Sequence, residues 1–280
     1  MTAAGALTGG AAVATEGVIL EPNQPKLVRL EIPLRRWPEA FDGITIAQLS
    51  DIHYDDHFSV VPLRHAVAAI RDLRPDLVVI TGDFITIPPF NEYLHHAKPA
   101  AAAIEPCAQL LRQLHAPLGV VAALGNHDVD SDPERITDTL RAINIPVLRN
   151  SAFPLERSSF RIWLAGVDDL GSGKPDMDLT LKSVPREDAV VLLSHEPDYA
   201  DEVAKYPVDL QLSGHSHGGQ IRLPLLGAPW LPDGAKKYPW GLRKIGPVTL
   251  YTNAGLGTIR VPVRLNCPPE ITLFTLRTLR

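Results

Sequence analysis

The chain has 280 residues, 45% of them hydrophobic and 21% charged, and its 20 glycines and 26 prolines fall below the share found in low-complexity chains. Disorder and collagen-like repeats are thereby excluded, and the length allows one large core or two small ones. A net charge of −5 removes the basic surplus of proteins that coat nucleic acid, so no nucleic-acid partner is expected.

In chain order, residues 3–14 are small and apolar, but the first basic residue is Lys26, so the basic start of an export signal is missing. The stretch 1–25 reads either as a flexible N-terminus or as the remnant of a signal or anchor, and 26–280 as a single domain. No run reaches the roughly 20 apolar residues of a membrane span. The compartment stays open: cytoplasm, membrane periphery, or export if an upstream signal has been removed. Residues 26–34 alternate loosely and end near Pro33 and Pro38, which suits an edge strand. Short runs rich in Val, Ile and Leu at 44–49, 77–80, 118–124, 162–167, 189–193, 208–212 and 248–251 predict buried strands. Helical spacing predicts helices at 62–73, 100–114, 133–143 and 198–205, with Pro62 and Pro133 near helix starts. Strands alternating with helices indicate an α/β fold. The Pro-rich segments 85–98 and 222–246 fit neither period and read as long surface loops, with His95 and His96 on the first of them as lid candidates. Cys107 and Cys267 have no Cys-x-x-Cys spacing and read as reduced, packed thiols.

Polar clusters follow five of the predicted strands directly: Asp51 with His53, Gly82-Asp83, Gly125-Asn126-His127-Asp128, Ser194-His195, and Gly214-His215-Ser216-His217. Strand carboxyl ends line the ligand crevice of an open α/β sheet, so one site can collect all five. Asp51 and His53 are two apart, as are His215 and His217, and each pair points to one side if extended geometry persists. Carboxylates, imidazoles and an amide oxygen without thiolates suit Mn, Fe, Zn, Co or Ni. The ligand count fits two ions, and Asp83 is the candidate to bridge them through its two oxygens. A single Gly-Asn-His-Asp could be only a turn, whereas five ordered motifs after strands point to metal.

These motifs resemble the calcineurin-like metallophosphoesterases, and Gly218-Gly219-Gln220 with Pro268-Pro269-Glu270-Ile271 extends the resemblance to the bacterial YkuE/YaeI-type subgroup. The resemblance implies a two-sheet β-sandwich flanked by helices and two divalent ions, manganese in first place. It assigns Asp51, His53, Asp83 and His217 to one ion, and Asp83, Asn126, His195 and His215 to the other. His127 would bind no metal but face the substrate and help the leaving group, with His127 and Asp83 as catalytic residues. Asn126, His127, Arg222 and Arg260 are the candidate substrate contacts. The implied activity is hydrolysis of phosphate esters or anhydrides, by a phosphodiesterase or by a pyrophosphatase acting on UDP-2,3-diacylglucosamine-like lipid precursors. A soluble phosphodiesterase or phosphomonoesterase acting on small or nucleotide substrates is the alternative. A metal-free binding scaffold is disfavoured because no ligand position is replaced, and a nuclease because no aromatic track is evident. Oligomeric state is not indicated.

The segment 222–246 carries Arg222, Lys236, Lys237, Arg243 and Lys244 beside Asp233, with Leu225, Leu226, Trp230, Leu231 and Trp240. It reads either as a loop folded back with its tryptophans packed, or as a platform that contacts lipid-bearing anions at a membrane surface. Asp128 reads as an orienting or capping residue, and Asp168 and Asp169 have no assigned role.

Overall fold

In the computed structural model, which describes residues 15–88 and 97–279, alternation along the central strands decides the layering. Leu77 and Val79 face a second sheet while Val78 and Ile80 face helices, so one four-residue apolar run serves two cores. The first sheet is built from β1 (Lys26–Leu34), β2 (Thr45–Leu49), β3 (Leu77–Thr81), β4 (Val120–Ala123) and β11 (Glu270–Thr278), in the order β1-β11-β2-β3-β4. The second holds β5 (Ser151–Arg157), β6 (Phe160–Gly166), β7 (Ala189–Leu193), β8 (Leu210–Ser213), β9 (Gly241–Ile245) and β10 (Val248–Thr252), in the order β5-β6-β7-β8-β10-β9. Ile46, Leu77, Val79, Val121 and Phe274 of the first sheet pack in one buried cluster with Ile162, Leu164, Val191, Leu193 and Leu212 of the second.

Helices α1 (Val60–Leu73), α2 (Ile104–Leu111), α3 (Asn126–Ser131) and α4 (Pro133–Ala142) follow in sequence, and α1, α2 and α4 cover the outer face of the first sheet. In α1 the buried Leu63, Ala66, Val67 and Ile70 recur at helical spacing. That helix stops at Arg74, whose left-handed φ of 49° precedes Pro75. The single-turn helices α5 (Met177–Thr180) and α6 (Ala200–Val203) lie over the second sheet, where Met177 and Val203 pack on Trp163, Val190 and Leu192. Cys107 and Cys267 are both free and buried.

The α/β sandwich is as expected, and β1 lies at a sheet edge, where Pro33 is tolerated. Three strands depart from the sequence reading. β5 carries Pro154 and occupies an edge, β9 occupies the last residues of the presumed loop 222–246, and β11 inserts between β1 and β2. The segment predicted as a helix at 100–114 begins as a 3-10 turn, Lys98–Ala103, and becomes α-helical only at Ile104. Pro106 has no N–H to give the carbonyl of Ala102, so a continuous α-helix loses a bond there. Residues 198–205 likewise split into Pro197–Tyr199 and the short α6. Glu16–Leu20 and Glu21–Asn23 form two helical turns held to the C-terminal region: Arg264 N donates to Gly17 O at 2.9 Å, and Asn266 N to the Glu21 carboxylate at 3.0 Å. Residues 3–14, and the lid candidates His95 and His96, lie outside the described residues.

β2, β3 and β4 run parallel in one sheet, and β6, β7, β8 and β10 in the other. Stacking brings the two sets of carboxyl ends to one edge of the sandwich, and the polar clusters stand there.

Candidate metal centre

Asp51 and His53 follow β2, Asp83 follows β3, Asn126 and His127 open α3 after β4, His195 follows β7, and His215 and His217 follow β8. The structure brings all eight to one place, although not by the extended geometry expected for residues two apart. Asp51, His53, Asp83, His215 and His217 have φ of 48°, 45°, 55°, 66° and 51°, all left-handed. Each such residue costs on the order of 1–3 kcal/mol and persists only where its surroundings dictate it. Here Asp51 N donates to Gly82 O and His53 N to Asp83 O, both at 3.0 Å, and His215 N donates to Asp51 Oδ1 at 2.9 Å. Gly214 is required for close approach: a Cβ there would collide with the side chains of Ser50 and Asp51.

Asp83 is central. Its Oδ2 lies 3.4 Å from His53 Nε2 and 3.2 Å from His195 Nε2, and its Oδ1 accepts from His127 N at 3.0 Å. His53 Nε2 stands 3.1 Å from His217 Nε2, which lies 3.4 Å from Asp51 Oδ1. Donor atoms of Asp51, His53 and His217 fall within 4.8 Å of one another, as do those of Asp83, His195 and His215. Asp83 therefore sits between two donor groups.

Hydrogen bonds orient the rings. His195 Nδ1 donates to Thr81 O at 2.7 Å and His215 Nε2 to Asp233 O at 2.8 Å, which turns the other nitrogen of each toward the cluster, able to coordinate when the ring is neutral. His53 Nδ1 is held by Thr86 Oγ1 at 3.1 Å. His127 has the opposite tautomer. Its Nδ1 accepts from Ile87 N at 3.0 Å, which leaves Nε2–H as a donor although the ring stands beside His53 and Asp83. Burial, helped by Arg264, brings His217 down to about 4 despite Asp51. Burial also lowers His215, and holds His53 well below its ordinary value. Burial acts against the charge of Asp83 as well, but His195, His127 and His53 keep its carboxyl well below the usual range. His195 is raised well above its ordinary value because Asp83 outweighs its burial.

A divalent cation fits this donor set. Asn126 Oδ1 is buried without a hydrogen-bond partner, a costly state for its lone pairs, and the buried His195 Nε2 faces only the Asp83 carboxylate at 3.2 Å; a cation would satisfy both. Carboxylates, imidazoles and an amide oxygen would supply the coordination, and the one thiol beside them, Cys267 among the described residues, gives its Sγ–H to His217 O at 3.2 Å.

Asp128 ties the loops together. Its Oδ2 accepts from Asp83 N at 2.8 Å and Gly125 N at 3.0 Å, and its Oδ1 accepts from Phe84 N at 2.9 Å. Burial and the charge of Asp83 push Asp128 up to about 8. Asp128→Ala removes the acceptor from these three buried N–H groups and from Ile85 N, which approaches Oδ1 at 3.4 Å, and is expected to cost about 3–5 kcal/mol in urea unfolding. Asp128→Asn, which keeps one accepting oxygen, should cost about half as much. A loss under about 1 kcal/mol in Asp128→Ala would remove the clamp from this account.

The donor groups open into a cavity of about 350 Å³ walled by Trp230, Pro232, Lys236, Ile259 and Arg260. Arg260, in a left-handed conformation, stacks its guanidinium 4.3 Å above Trp230. Arg222 does not line this cavity: it lies 4.9 Å over Trp240 and donates to Gly218 O at 2.9 Å. Asp168 forms a two-pronged pair with Arg149, and Asp169 is pushed up to about 8 by burial and by Glu196 beside it, so both brace the loop after β6. Sequence reasoning missed the orienting groups Thr81, Thr86 and the Asp233 carbonyl. It also missed Arg264, fully buried and bonded to the carbonyls of Ala254, Gly257 and Cys267 behind His217. Arg264 has one sequence signal, a lone cation between the apolar Val263 and Leu265.

The calcineurin-like phosphoesterase family model matches residues 44–219. The chain is 39% identical over 278 residues to the metallophosphoesterase YkuE of Bacillus subtilis, covering 99% of this chain and 93% of that one. It is 33% identical over 233 residues to the phosphodiesterase YaeI of Escherichia coli, covering 81% and 80% of the two chains. Over 313 residues it is 28% identical to the UDP-2,3-diacylglucosamine pyrophosphatase LpxG of Chlamydia trachomatis, with 91% and 90% covered. The matched span starts one residue before β2, ends two residues after His217, and encloses every donor of the cluster, so this chain belongs to the calcineurin-like phosphoesterase family, hydrolases of phosphate esters and anhydrides that depend on divalent metal.

Proposed function

We propose that the protein cleaves phosphodiester or pyrophosphate bonds at a two-metal centre, and that its preferred substrates are lipid-linked pyrophosphates. The observation that carries the two-metal reading is the Asp83 carboxylate between two groups of buried lone-pair donors. Asp51, His53, Asp83 and His217 would hold one ion and Asp83, Asn126, His195 and His215 the other, with manganese the first choice on the family resemblance and Fe, Zn, Co or Ni also compatible with a thiolate-free set. Bound there, the ions would offset charge on the phosphoryl oxygens and make water a better nucleophile. The chain's own groups do the rest. His127 directs Nε2–H toward the phosphoryl or leaving oxygen, Asn126 faces the same cavity, and Arg260, held over Trp230, offers a cation to a second phosphate.

The lipid part rests on the surface next to the mouth and on similarity to LpxG. Leu225 and Leu226 cap a tight turn closed by Leu223 and Gly227 and are 107% and 81% exposed, with Trp230 43% exposed on the cavity wall. Lys236 pairs with Asp233 and Lys237 with Asp201, so the apolar turn rather than these lysines supplies the peripheral membrane contact. No helix among the described residues is long and apolar enough to cross a membrane.

The test is a panel on manganese-reconstituted protein: a UDP-diacylglucosamine-type lipid in mixed micelles, bis(4-nitrophenyl) phosphate, and 4-nitrophenyl phosphate. The expected order of kcat/KM puts the lipid pyrophosphate first by at least about tenfold and the monoester last, because binding energy from the remote part of a substrate is used at the reacting centre. Leu225→Ser with Leu226→Ser should lower activity on the lipid by about tenfold and leave the diester unchanged. A monoester preference would overturn the phosphodiesterase reading, and equal loss on both substrates would overturn the membrane contact. A soluble diesterase would show as a preference for the aryl diester.

A further inference from the structure

A second and larger cleft, of about 910 Å³, opens at the opposite strand ends, between the edge strands β1 and β9. Its lining includes the end of β1 at Leu34, Asp209 just before β8, and Thr249 at the start of β10, so it shares no residue with the metal-centre cavity. Arg35, Arg36, Arg186, Arg243 and Lys244 surround it, against Glu31 and Asp209. Both carboxylates are already engaged: Asp209 by Arg36 at 2.7 Å, and Glu31 by Arg277 at 3.3 Å. Arg35, Arg186, Arg243 and Lys244 have no ion-pair partner among the described residues, in a protein whose net charge is −5. Lys244 Nζ donates to Pro247 O at 2.7 Å and Thr249 Oγ1 at 3.1 Å, both neutral; burial lowers it, and Arg35 adds to that effect while Asp209 opposes it, so Lys244 and Arg35 lie close without a full counter-charge.

The rest of the cleft is apolar. Ile32, Leu34 and Val208 form a buried floor, and Leu242 and Leu279 remain 41% and 47% exposed at its sides. A small inorganic anion would satisfy the cations and leave this wall wet, and a neutral alkyl chain would cover the wall and leave the cations uncompensated. One ligand type meets both demands, and the volume falls in the roughly 300–1,000 Å³ range of small-molecule pockets.

We propose that the β1/β9 cleft is a binding site for an amphipathic anion, a single alkyl chain with a phosphate or carboxylate head. The head sits among Arg35, Arg186, Arg243 and Lys244, and the chain lies over Leu34, Leu242 and Leu279. The site is separate from hydrolysis, so its failure and that of the substrate assignment are distinguishable.

The test uses the full chain with its metals and a dodecyl phosphate bearing a terminal diazirine, kept below its micelle concentration. Calorimetry gives affinity, and peptide mapping after irradiation gives location. Labelling is expected on segments 31–36, 242–247 or 279. Arg35→Ala with Arg243→Ala should weaken binding at least about tenfold, since each removes a charge-assisted contact. The same variant should hydrolyse bis(4-nitrophenyl) phosphate at the unaltered rate. Leu242→Ser should weaken the alkyl phosphate severalfold and leave inorganic phosphate unaffected. Labels confined to 230–236 and 259–260 would place the ligand in the catalytic cavity and overturn the proposal. So would inorganic phosphate or dodecyl maltoside binding as tightly as the alkyl phosphate, or capture by phosphatidic acid vesicles without binding of the monomer.

Discussion

Asp83→Asn is expected to reduce metal content from as many as two ions per chain to less than one, and to lower kcat/KM on any phosphate ester by about 10³-fold. The side chain keeps its shape but loses the charge that offsets two cations, and it can place an NH2 where Oδ2 now faces His53 Nε2 and His195 Nε2 at 3.4 and 3.2 Å. Metal-centred charge stabilisation contributes several kcal/mol, and each 1.4 kcal/mol is a factor of ten in rate, which sets the scale of the loss. Both donor groups should weaken together because Asp83 lies between them. Elemental analysis with parallel kinetics checks this, and undiminished occupancy in Asp83→Asn would sink the bridging role.

His127→Ala is expected to retain both ions and slow turnover by about 10²–10⁴-fold, the range for a positioned proton donor. The hydrogen bond from Ile87 N to Nδ1 supports the proposed role: with Nδ1 accepting, the proton of the neutral ring lies on Nε2, which favours a donor over a ligand. A donor to the leaving oxygen matters less when that oxygen departs readily. The defect should therefore shrink from alkyl to 4-nitrophenyl diesters, read as a shallower dependence of kcat on leaving-group pKa in the wild type than in the variant. Metal loss in His127→Ala, or a defect independent of the leaving group, would contradict the donor role.

The layers of the sandwich were legible because buried parallel strands are continuous apolar runs, and 77–81 and 189–193 lie in such runs. Edges were not. β9 is largely exposed and follows a Pro-rich stretch, so neither composition nor period distinguishes it from loop until it pairs with β10. That pairing also divides the basic charges of 222–246 between two places: Lys236 lines the cavity over the candidate metal centre, while Arg243 and Lys244 line the cleft at the opposite strand ends.

For the candidate site, the residues that meet could be read from the chain, since carboxylates, imidazoles and an amide following five strands converge wherever those strands are parallel and stacked. How each is aimed comes from contacts between segments far apart in the chain. Which nitrogen of His195, His215 or His127 carries its proton depends on the Thr81 carbonyl, the Asp233 carbonyl and the Ile87 amide, brought close by pairing and turns rather than by neighbourhood in the chain. The left-handed backbone at Asp51, His53, Asp83, His215 and His217 is likewise a tertiary result. Local propensity opposes it for every residue with a Cβ, and only a network closed across both sheets can hold it.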